Sequence, residues 1–506
     1  MKSRIKNSII VVFCSLLLFL GFLSYFSSVW YIEVFGDVGF DSILYTLFSD
    51  LSGVSDGQLE KFLYEALIPS LAVTILVAFV LFIATKRRIA VKIGEKIKFF
   101  LYPFKKSFSA VVSLVLSFSL ILSAASRVDM LRYLKYAFSK SSTFIEENYV
   151  DPDTAKISFP KEKQNLIIIY LESMETTFLS SEYEGGNDVN PIPELCALAE
   201  NNINFSHNET VGGFSSLSGG TWTVGGLVSL TSGIPLKTPL DISGNEFGQE
   251  FFLPGVTSLM DILRQNGYYQ ALMIGSDANF GNRRQYYLQH GVDKIYDLYT
   301  AREDSIVHPQ YYAWWGMEDL HLFEYAKKEL LEMSKSEKPF AFQMLTADTH
   351  HVDGFVCEYC DNEFEEQYEN VLACSSRQVN DFIKWLKKQD FYKSTTVVIC
   401  GDHPTMDAEF ISRNISEGYN RKVYNCFINA QNETENSKNR KFCSLDMFPT
   451  ILSAIGCKIE GERLGLGTNL FSSKPTLCEL LGTTVFDEEL SKKSDYYNRV
   501  FMGLNL

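Results

Sequence analysis

Three short apolar runs in this sequence each end at a group of acidic or histidine residues. The runs are Asn165–Leu171, Pro339–Leu345 and Ser394–Cys400, and they are followed by Glu172, by Asp348-Thr349-His350-His351 and by Asp402-His403. Each run has the length of a strand and is partly β-branched. In open α/β sheets, ligands bind outside the carboxyl ends of the strands. We therefore expect a Glu, an Asp and up to three His at one sheet edge, a combination that binds a divalent metal.

The first quarter of the chain contains three uncharged apolar stretches, at about residues 9–26, 66–85 and 108–126. Each has roughly the 20 residues that a helix needs to cross a bilayer. The first follows Lys2, Arg4 and Lys6, so a cleaved signal peptide is the alternative, but no small-x-small cleavage site follows it. The sequence predicts a transmembrane region over residues 1–126.

The loop charges predict the orientation of these spans. Residues 86–106 contain eight Lys or Arg and one acid, whereas residues 29–65 contain seven acids and one Lys. The positive-inside rule places the basic loop in the cytoplasm. Everything after residue 126 is then expected outside the cytoplasm, attached to the cell membrane by several passes. The formal net charge of −15 argues against nucleic acid as a partner.

Beyond the spans, the pattern predicts a linker over 127–163, an α/β domain over 164–474 and a tail over 475–506. Further strands are expected at Tyr268–Gly275 and Lys422–Ala430, and helices at Thr257–Gln265, Glu318–Ser334, Cys374–Lys388 and Ser444–Ile455. Strands that alternate with helices indicate a mostly parallel sheet flanked by helices. In the same domain, Cys357 and Cys360 form a C-x-x-C pair with Cys374 downstream. Outside the cytoplasm a loop disulfide is the simplest interpretation, and the sequence does not fix the pairing.

Several candidate residues could instead have purely structural roles. Glu172 and Asp402 could be helix-capping carboxylates, with Glu175 an alternative to Glu172. The Gly-rich segment 219–235 could be a flexible loop, or a helix N-terminus that receives a phosphate beside Thr223 or Thr221. Arg283 and Arg284 could be solvated, although a guanidinium fork also matches phosphate oxygens. Residues alone do not choose between His350 and His351.

Seven segments, in order along the chain, resemble the lipoteichoic acid synthase and phosphoglycerol transferase family of the alkaline phosphatase/sulfatase superfamily. They read NLIIIYLES, TWTVGGLVSLTSGIPL, FGNRRQYYLQHGVD, WWGMEDLHLF, LTADTHH, GDHPTM and SLDMFPTILSAIG. The second segment is most similar to phosphoglycerol transferases that modify periplasmic glucans. The Cys-x-Pro-x-Arg signature of sulfatases that use formylglycine is absent from the sequence. Longer family members have five spans, and three are predicted here.

The resemblance implies a role for each matched residue. Glu172, Asp402 and His403 would bind one divalent metal, Mn²⁺ or Zn²⁺, with Thr223 as fourth ligand and nucleophile. His350 would contact the substrate phosphate or assist proton transfer, and Arg283 would bind the headgroup.

The implied enzyme is a metal-dependent phosphotransferase. It would move glycerol phosphate from phosphatidylglycerol to a hydroxyl of a glycan, glycolipid or teichoic-type polymer through a phospho-threonine intermediate. A phosphoethanolamine transferase or a phosphodiesterase of the same superfamily is the alternative, and a membrane-anchored binding protein without activity is a third.

Overall fold

The protein is represented by a computed structural model. The structure describes residues 2–36, 39–48, 60–83, 89–93, 97–101, 106–238 and 251–504. It divides into two compact units. One unit comprises residues 1–37 and 55–132, and the other comprises residues 38–54 and 133–506.

The first unit contains three helices long and apolar enough to cross a membrane, Ile9–Phe35, Glu60–Phe82 and Ser107–Arg127. The first and third helices pack closely, since a Cβ atom at Gly21 would lie 2.9 Å from the Ser117 Cα atom. The three predicted spans overlap these helices, although residues 84–85 of the second span lie outside the described residues. So do residues 86–88, 94–96 and 102–105 of the predicted basic loop. A short hairpin pairs Ile89–Ile93 with Ile97–Leu101.

The second unit is built on a seven-stranded sheet. In chain order its strands are β1 (Asn165–Leu171), β2 (Gly213–Phe214), β3 (Tyr269–Ile274), β4 (Lys294–Tyr296), β5 (Phe340–Leu345), β6 (Thr395–Gly401) and β7 (Val423–Ile428). Their order across the sheet is β2-β7-β6-β1-β5-β3-β4. Only β7 runs antiparallel to its neighbours, β6 and β2. The sheet is therefore mostly parallel, as predicted.

Both faces of the sheet are covered by helices. Ile167 and Ile169 of β1 share a core cluster with Leu322 and Phe382 from two helices, whereas Tyr170 meets Tyr287 of a third helix on the opposite face. The described helices that lie wholly in this unit are Gly39–Phe48, Phe144–Asn148, Pro193–Glu200, Thr223–Ser232, Leu259–Gln265, Arg283–Gln289, Leu298–Glu303, Asp319–Met333, Gln367–Leu386, Ala408–Asn414, Ser444–Ala454, Leu477–Leu481 and Thr483–Ser491. The helix Met130–Ala137 includes the last residues of the first unit and the first residues of the second. Residues 166–171 are fully buried, as expected for a parallel strand buried on both faces.

The five predicted strands begin and end within two residues of the observed β1, β3, β5, β6 and β7, whereas the short strands β2 and β4 were not predicted. The helix Gln367–Leu386 begins seven residues before the predicted Cys374, because Tyr368 is fully buried and donates to the Thr349 carbonyl at 2.8 Å. After residue 474 the chain packs on the domain, with Tyr497 buried and donating to the Pro235 carbonyl at 2.9 Å. The expected loop disulfide is not formed, since all ten cysteines are free thiols.

Candidate metal centre

The parallel register of the sheet brings two of the polar strand ends together. Leu171 at the end of β1 pairs with Gly401 at the end of β6. The next residues, Glu172 and Asp402, therefore lie side by side with His403. One ligand atom from each of the three lies within 4.8 Å of the others, and all three side chains are buried.

The hydrogen bonds around these residues leave metal-binding atoms turned inward. His403 Nδ1 lies 2.8 Å from the Pro404 carbonyl oxygen. In a neutral ring that donates this hydrogen bond, Nε2 carries the lone pair that can bind a metal. This Nε2 lies 3.1 Å from Glu172 Oε1 and 3.5 Å from Asp402 Oδ2. Asp402 Oδ1 accepts from the Ser173 and His403 amides, while its buried Oδ2 has no hydrogen-bond partner among the described residues. Two carboxylate oxygens and one imidazole nitrogen fit a divalent cation such as Mn²⁺ or Zn²⁺.

The charges of this cluster depend on one another. Burial opposes ionisation of Glu172, but His403 outweighs it and holds the pKa of Glu172 well below its usual range. Burial and the neighbouring Glu172 charge raise the pKa of Asp402 to about 7. Burial alone would lower the pKa of His403, but the two carboxylates raise it to about 9. Two buried carboxylates at this spacing need a cation, either protonated His403 or a bound metal.

Thr223 lies at the open side of the same cluster. It is the first residue of the helix Thr223–Ser232, so its hydroxyl lies where the helix dipole favours an anion. Thr223 Oγ1 lies 3.3 Å from His403 Nε2 and 3.4 Å from Glu172 Oε2. The helix approaches closely because Gly226 has no side chain: a Cβ atom there would overlap the Asp402 carbonyl.

The two histidines after β5 differ in their surroundings. His350 is near enough to Glu172 for the carboxylate charge to act on it, although burial dominates and lowers the pKa of His350. Its ring centroid lies 4.6 Å from that of Trp315. Thr349 in the same loop donates to the Glu172 carbonyl at 2.5 Å. The His351 ring is buried and stacks on that of His350 at 4.2 Å, so His350 is the histidine that faces the cluster.

The two arginines have separate environments. Arg284 forms an ion pair with the fully buried side chain of Asp297, a structural role. Arg283 is buried, and its guanidinium donates from Nε to the Phe280 carbonyl and from Nη2 to Ser276 Oγ and the Asp277 carbonyl. Nη1 lies outside these bonds. Burial lowers the pKa of Arg283, and the charge of Glu172 opposes this, so the guanidinium lies within electrostatic reach of the cluster.

Glu175, the alternative to Glu172, has a different role. Its fully buried carboxylate forms an ion pair with Arg421 and accepts from the Thr405 amide at 2.8 Å. It holds together the turn after His403 and is not part of the cluster.

One residue near the site has no sequence signal that could have identified it. Tyr45 belongs to the short helix Gly39–Phe48, which lies between two predicted spans along the chain. It is buried and donates to the Gly281 carbonyl at 2.6 Å, and its ring centroid lies 6.1 Å from that of Trp222. Tyr45 therefore contacts the segments that carry Arg283 and Thr223.

Comparisons with known proteins show the family of this chain. The sulfatase family profile matches residues 164–457. Phosphoglycerol transferase I of Escherichia coli (strain 55989 / EAEC) is 31% identical over 269 residues, which are 51% of this chain and 34% of that protein. The chain thus spans about a third of the length of the curated relatives it matches.

Two solved structures are also similar. The lipoteichoic acid synthase LtaP from Listeria monocytogenes has 19% identity and a TM-score of 0.49, covering 65% of this chain and 80% of its own. The Streptococcus pyogenes phosphoglycerol transferase GacH, solved with sn-glycerol-1-phosphate, has 14% identity and a TM-score of 0.42, covering 74% and 92%. The profile match covers more than half of the sequence, and it includes Glu172, Thr223, Asp402 and His403. The chain therefore belongs to the sulfatase family.

Proposed function

We propose that this protein is a membrane-anchored phosphoglycerol transferase. It takes glycerol phosphate from phosphatidylglycerol and passes it to a hydroxyl of a surface glycan, glycolipid or polymer. The position of Thr223 supports this most directly, because its hydroxyl lies at a helix N-terminus, 3.3 Å from His403 and 3.4 Å from Glu172. The similarity to phosphoglycerol transferase I favours a glycerophosphate headgroup.

Thr223 takes part in two displacements, as the nucleophile in the first and as the leaving group in the second. In the first, Thr223 Oγ1 bonds to phosphorus, the bond from phosphorus to the diacylglycerol oxygen breaks, and the threonine proton is released while the leaving oxygen gains a proton. In the second, the acceptor oxygen bonds to phosphorus and its proton is released, while the bond from phosphorus to Thr223 Oγ1 breaks and Thr223 regains a proton. A free threonine hydroxyl is a weak nucleophile, so the site must activate it.

Glu172, Asp402 and His403 would hold one divalent cation, Mn²⁺ or Zn²⁺, with Thr223 on its open side. A bound cation would lower the pKa of a coordinated hydroxyl and neutralise phosphate charge. His350 and Arg283 would act on the substrate directly. His350 contacts the phosphate or transfers a proton to the leaving oxygen, and Arg283 presents Nη1 to the headgroup.

The proposed location follows from the apolar helices. Three helices that could cross a membrane would anchor the chain in the bilayer that contains the two-chain lipid donor. The charge of segment 86–106 favours a cytoplasmic position for it by the positive-inside rule, and we propose on this basis that catalysis takes place outside the cytoplasm.

Membranes that contain the full chain, supplied with headgroup-labelled phosphatidylglycerol or phosphatidylethanolamine, test this proposal. We expect diacylglycerol release from phosphatidylglycerol, with loss of release in Thr223→Ala. Thr221→Ala is the matched control, because Thr221 precedes the helix and is the nearby alternative hydroxyl. Release from phosphatidylethanolamine alone would identify a phosphoethanolamine transferase. Free glycerol phosphate with no modified acceptor would identify a phosphodiesterase.

A further inference from the structure

A cluster of three cysteine side chains lies outside the candidate metal centre. Cys357 and Cys360 lie in the loop that follows His350-His351, and Cys374 lies in the helix Gln367–Leu386. Cys357 Sγ is 3.6 Å from Cys360 Sγ and 3.6 Å from Cys374 Sγ. All three sulfur atoms lie within 4.8 Å of one another.

These separations suit metal ligation better than a disulfide. A disulfide needs sulfur atoms about 2.05 Å apart. Thiolates bound tetrahedrally to Zn²⁺ at about 2.3 Å are separated from one another by roughly 3.8 Å. The observed 3.6 Å spacing of both pairs is close to the second value, so the three sulfurs surround a point that a soft cation can occupy.

The backbone around Cys357 forms a tight turn beside its sulfur. The Cys360 amide donates to the Cys357 carbonyl at 3.1 Å and closes this turn. The amides of Tyr359 and Cys360 are also directed at the Cys357 sulfur. The turn therefore holds Cys357 and Cys360 in place beside Cys374.

Gln378 supplies an independent indication of a fourth ligand. It follows Cys374 by one helical turn, is 6% exposed, and its Nε2 lies 3.4 Å from Cys374 Sγ and 3.9 Å from Cys357 Sγ. Its buried Oε1 has no hydrogen-bond partner among the described residues. Since the amide oxygen and nitrogen exchange places on rotation, a flipped Gln378 would direct this oxygen toward the three sulfurs.

We propose that Cys357, Cys360 and Cys374 bind a structural Zn²⁺ ion, with Gln378 at the fourth position. Cys357 and Cys374 are buried and Cys360 is half-buried, so the ion enters from the Cys360 side. The ion ties the loop that starts at His350 to the helix Gln367–Leu386. It is separate from the cation held by Glu172, Asp402 and His403.

The loop has other links to the same helix, so cysteine variants are expected to fold. Asn370 Oδ1 accepts from the amides of Glu363 and Phe364 at 2.7 and 2.8 Å. Arg377 forms ion pairs with Asp361 and Glu363 at 3.2 and 2.9 Å. A Cys→Ser change removes a metal ligand and leaves these links in place.

Metal content of the purified full chain tests the site. We expect wild-type protein to carry one more equivalent of Zn²⁺ than Cys374→Ser or Cys357→Ser, whereas Cys457→Ser, which changes a buried cysteine outside the cluster, keeps the full content. Protein loaded with Co²⁺ should show sulfur-to-cobalt charge-transfer absorption that Cys374→Ser lacks. This difference between variants does not depend on turnover, so it is readable even if the proposed transferase activity is absent.

Alkylation of the cysteines in denaturant without reductant distinguishes free thiols from a disulfide. All ten cysteines should react once the metal is chelated. Two fewer alkylated cysteines than after reduction would show a disulfide and overturn the proposal, as would equal Zn²⁺ content in wild-type protein and Cys374→Ser.

Discussion

Gly226 packs directly against the carbonyl group of Asp402. A Cβ atom at position 226 would overlap the carbonyl oxygen and lie 3.0 Å from the carbonyl carbon. This contact fixes the helix that begins at Thr223 against the loop that carries Asp402 and His403, so it sets the distance between the proposed nucleophile and the cation ligands.

Gly226→Ala should therefore displace Thr223. Overpacking of this kind costs about 1–3 kcal/mol of unfolding free energy, and a displacement near 1 Å at a reacting group costs roughly 100-fold in rate. We expect diacylglycerol release to fall by about that factor while the protein still folds. Gly267→Ala is the control: its φ is +79° with open space around the Cβ position, so it should lose stability and keep activity. Equal activity in Gly226→Ala and wild type would show that the helix can move without effect.

Loss of the hydrogen bond from Tyr45 to the Gly281 carbonyl should reduce activity less than Gly226→Ala does. Removal of one buried hydrogen bond costs about 1 kcal/mol, and the bond supports the segment that leads into Arg283. Tyr45→Phe should lower kcat/KM for the lipid donor roughly five-fold, with a melting temperature about 2–4 °C lower, because the same hydrogen bond also supports the fold. Tyr419→Phe removes an exposed tyrosine–carbonyl bond of the same 2.6 Å length and should leave kcat/KM unchanged. A comparable loss in both variants would contradict a specific role for Tyr45.

Two buried carboxyl groups beneath the His350 loop predict a pH-dependent stability. Burial raises the pKa of Asp319 to about 7, and burial together with Asp319 raises the pKa of Asp348. Groups with a raised folded-state pKa stabilise the fold below the unfolded value of about 3.8 and lose this contribution as pH rises through the folded value. Asp348→Asn cannot ionise, so its melting temperature relative to wild type should rise between pH 5 and pH 8. A difference in melting temperature that stays constant across this pH range would contradict the raised pKa of Asp348.

Removal of divalent metal should abolish transfer reversibly. Asp402 Oδ2 is buried and has no hydrogen-bond partner among the described residues. A bound cation would supply the missing partner of this oxygen. Protein treated with chelator should be inactive and should recover with Mn²⁺ or Zn²⁺, whichever ion the site prefers. Asp402→Ala should not recover at any ion concentration tested. Full activity of chelated, metal-free wild type would rule out the cation in the mechanism.

Much of the sheet could be predicted because its strands are short apolar runs that are buried on both faces. The same runs located Glu172, Asp402 and His403, since parallel strands end at one edge. The Gly-rich segment left Thr223 and Thr221 as alternatives, and only the family resemblance favoured Thr223, because its proximity to His403 depends on the helix contact at Gly226.

Contacts between distant parts of the chain could not be predicted. Tyr45 and Gly281 are 236 positions apart, and no local pattern links them. The loop disulfide expected among Cys357, Cys360 and Cys374 was wrong, since all three are free thiols. An oxidising compartment and close spacing favour a disulfide, but they do not give the distance between the sulfur atoms.

Mass spectrometry of the active-site peptide tests the central claim most directly. Full-length protein incubated with phosphatidylglycerol and no acceptor, then quenched in acid, should carry a mass increase of one glycerol phosphate on Thr223. The adduct should disappear when acceptor is added, and Thr223→Ala should not form it. Rapid diacylglycerol release with no adduct on Thr223, or with an adduct on another residue, would contradict the account.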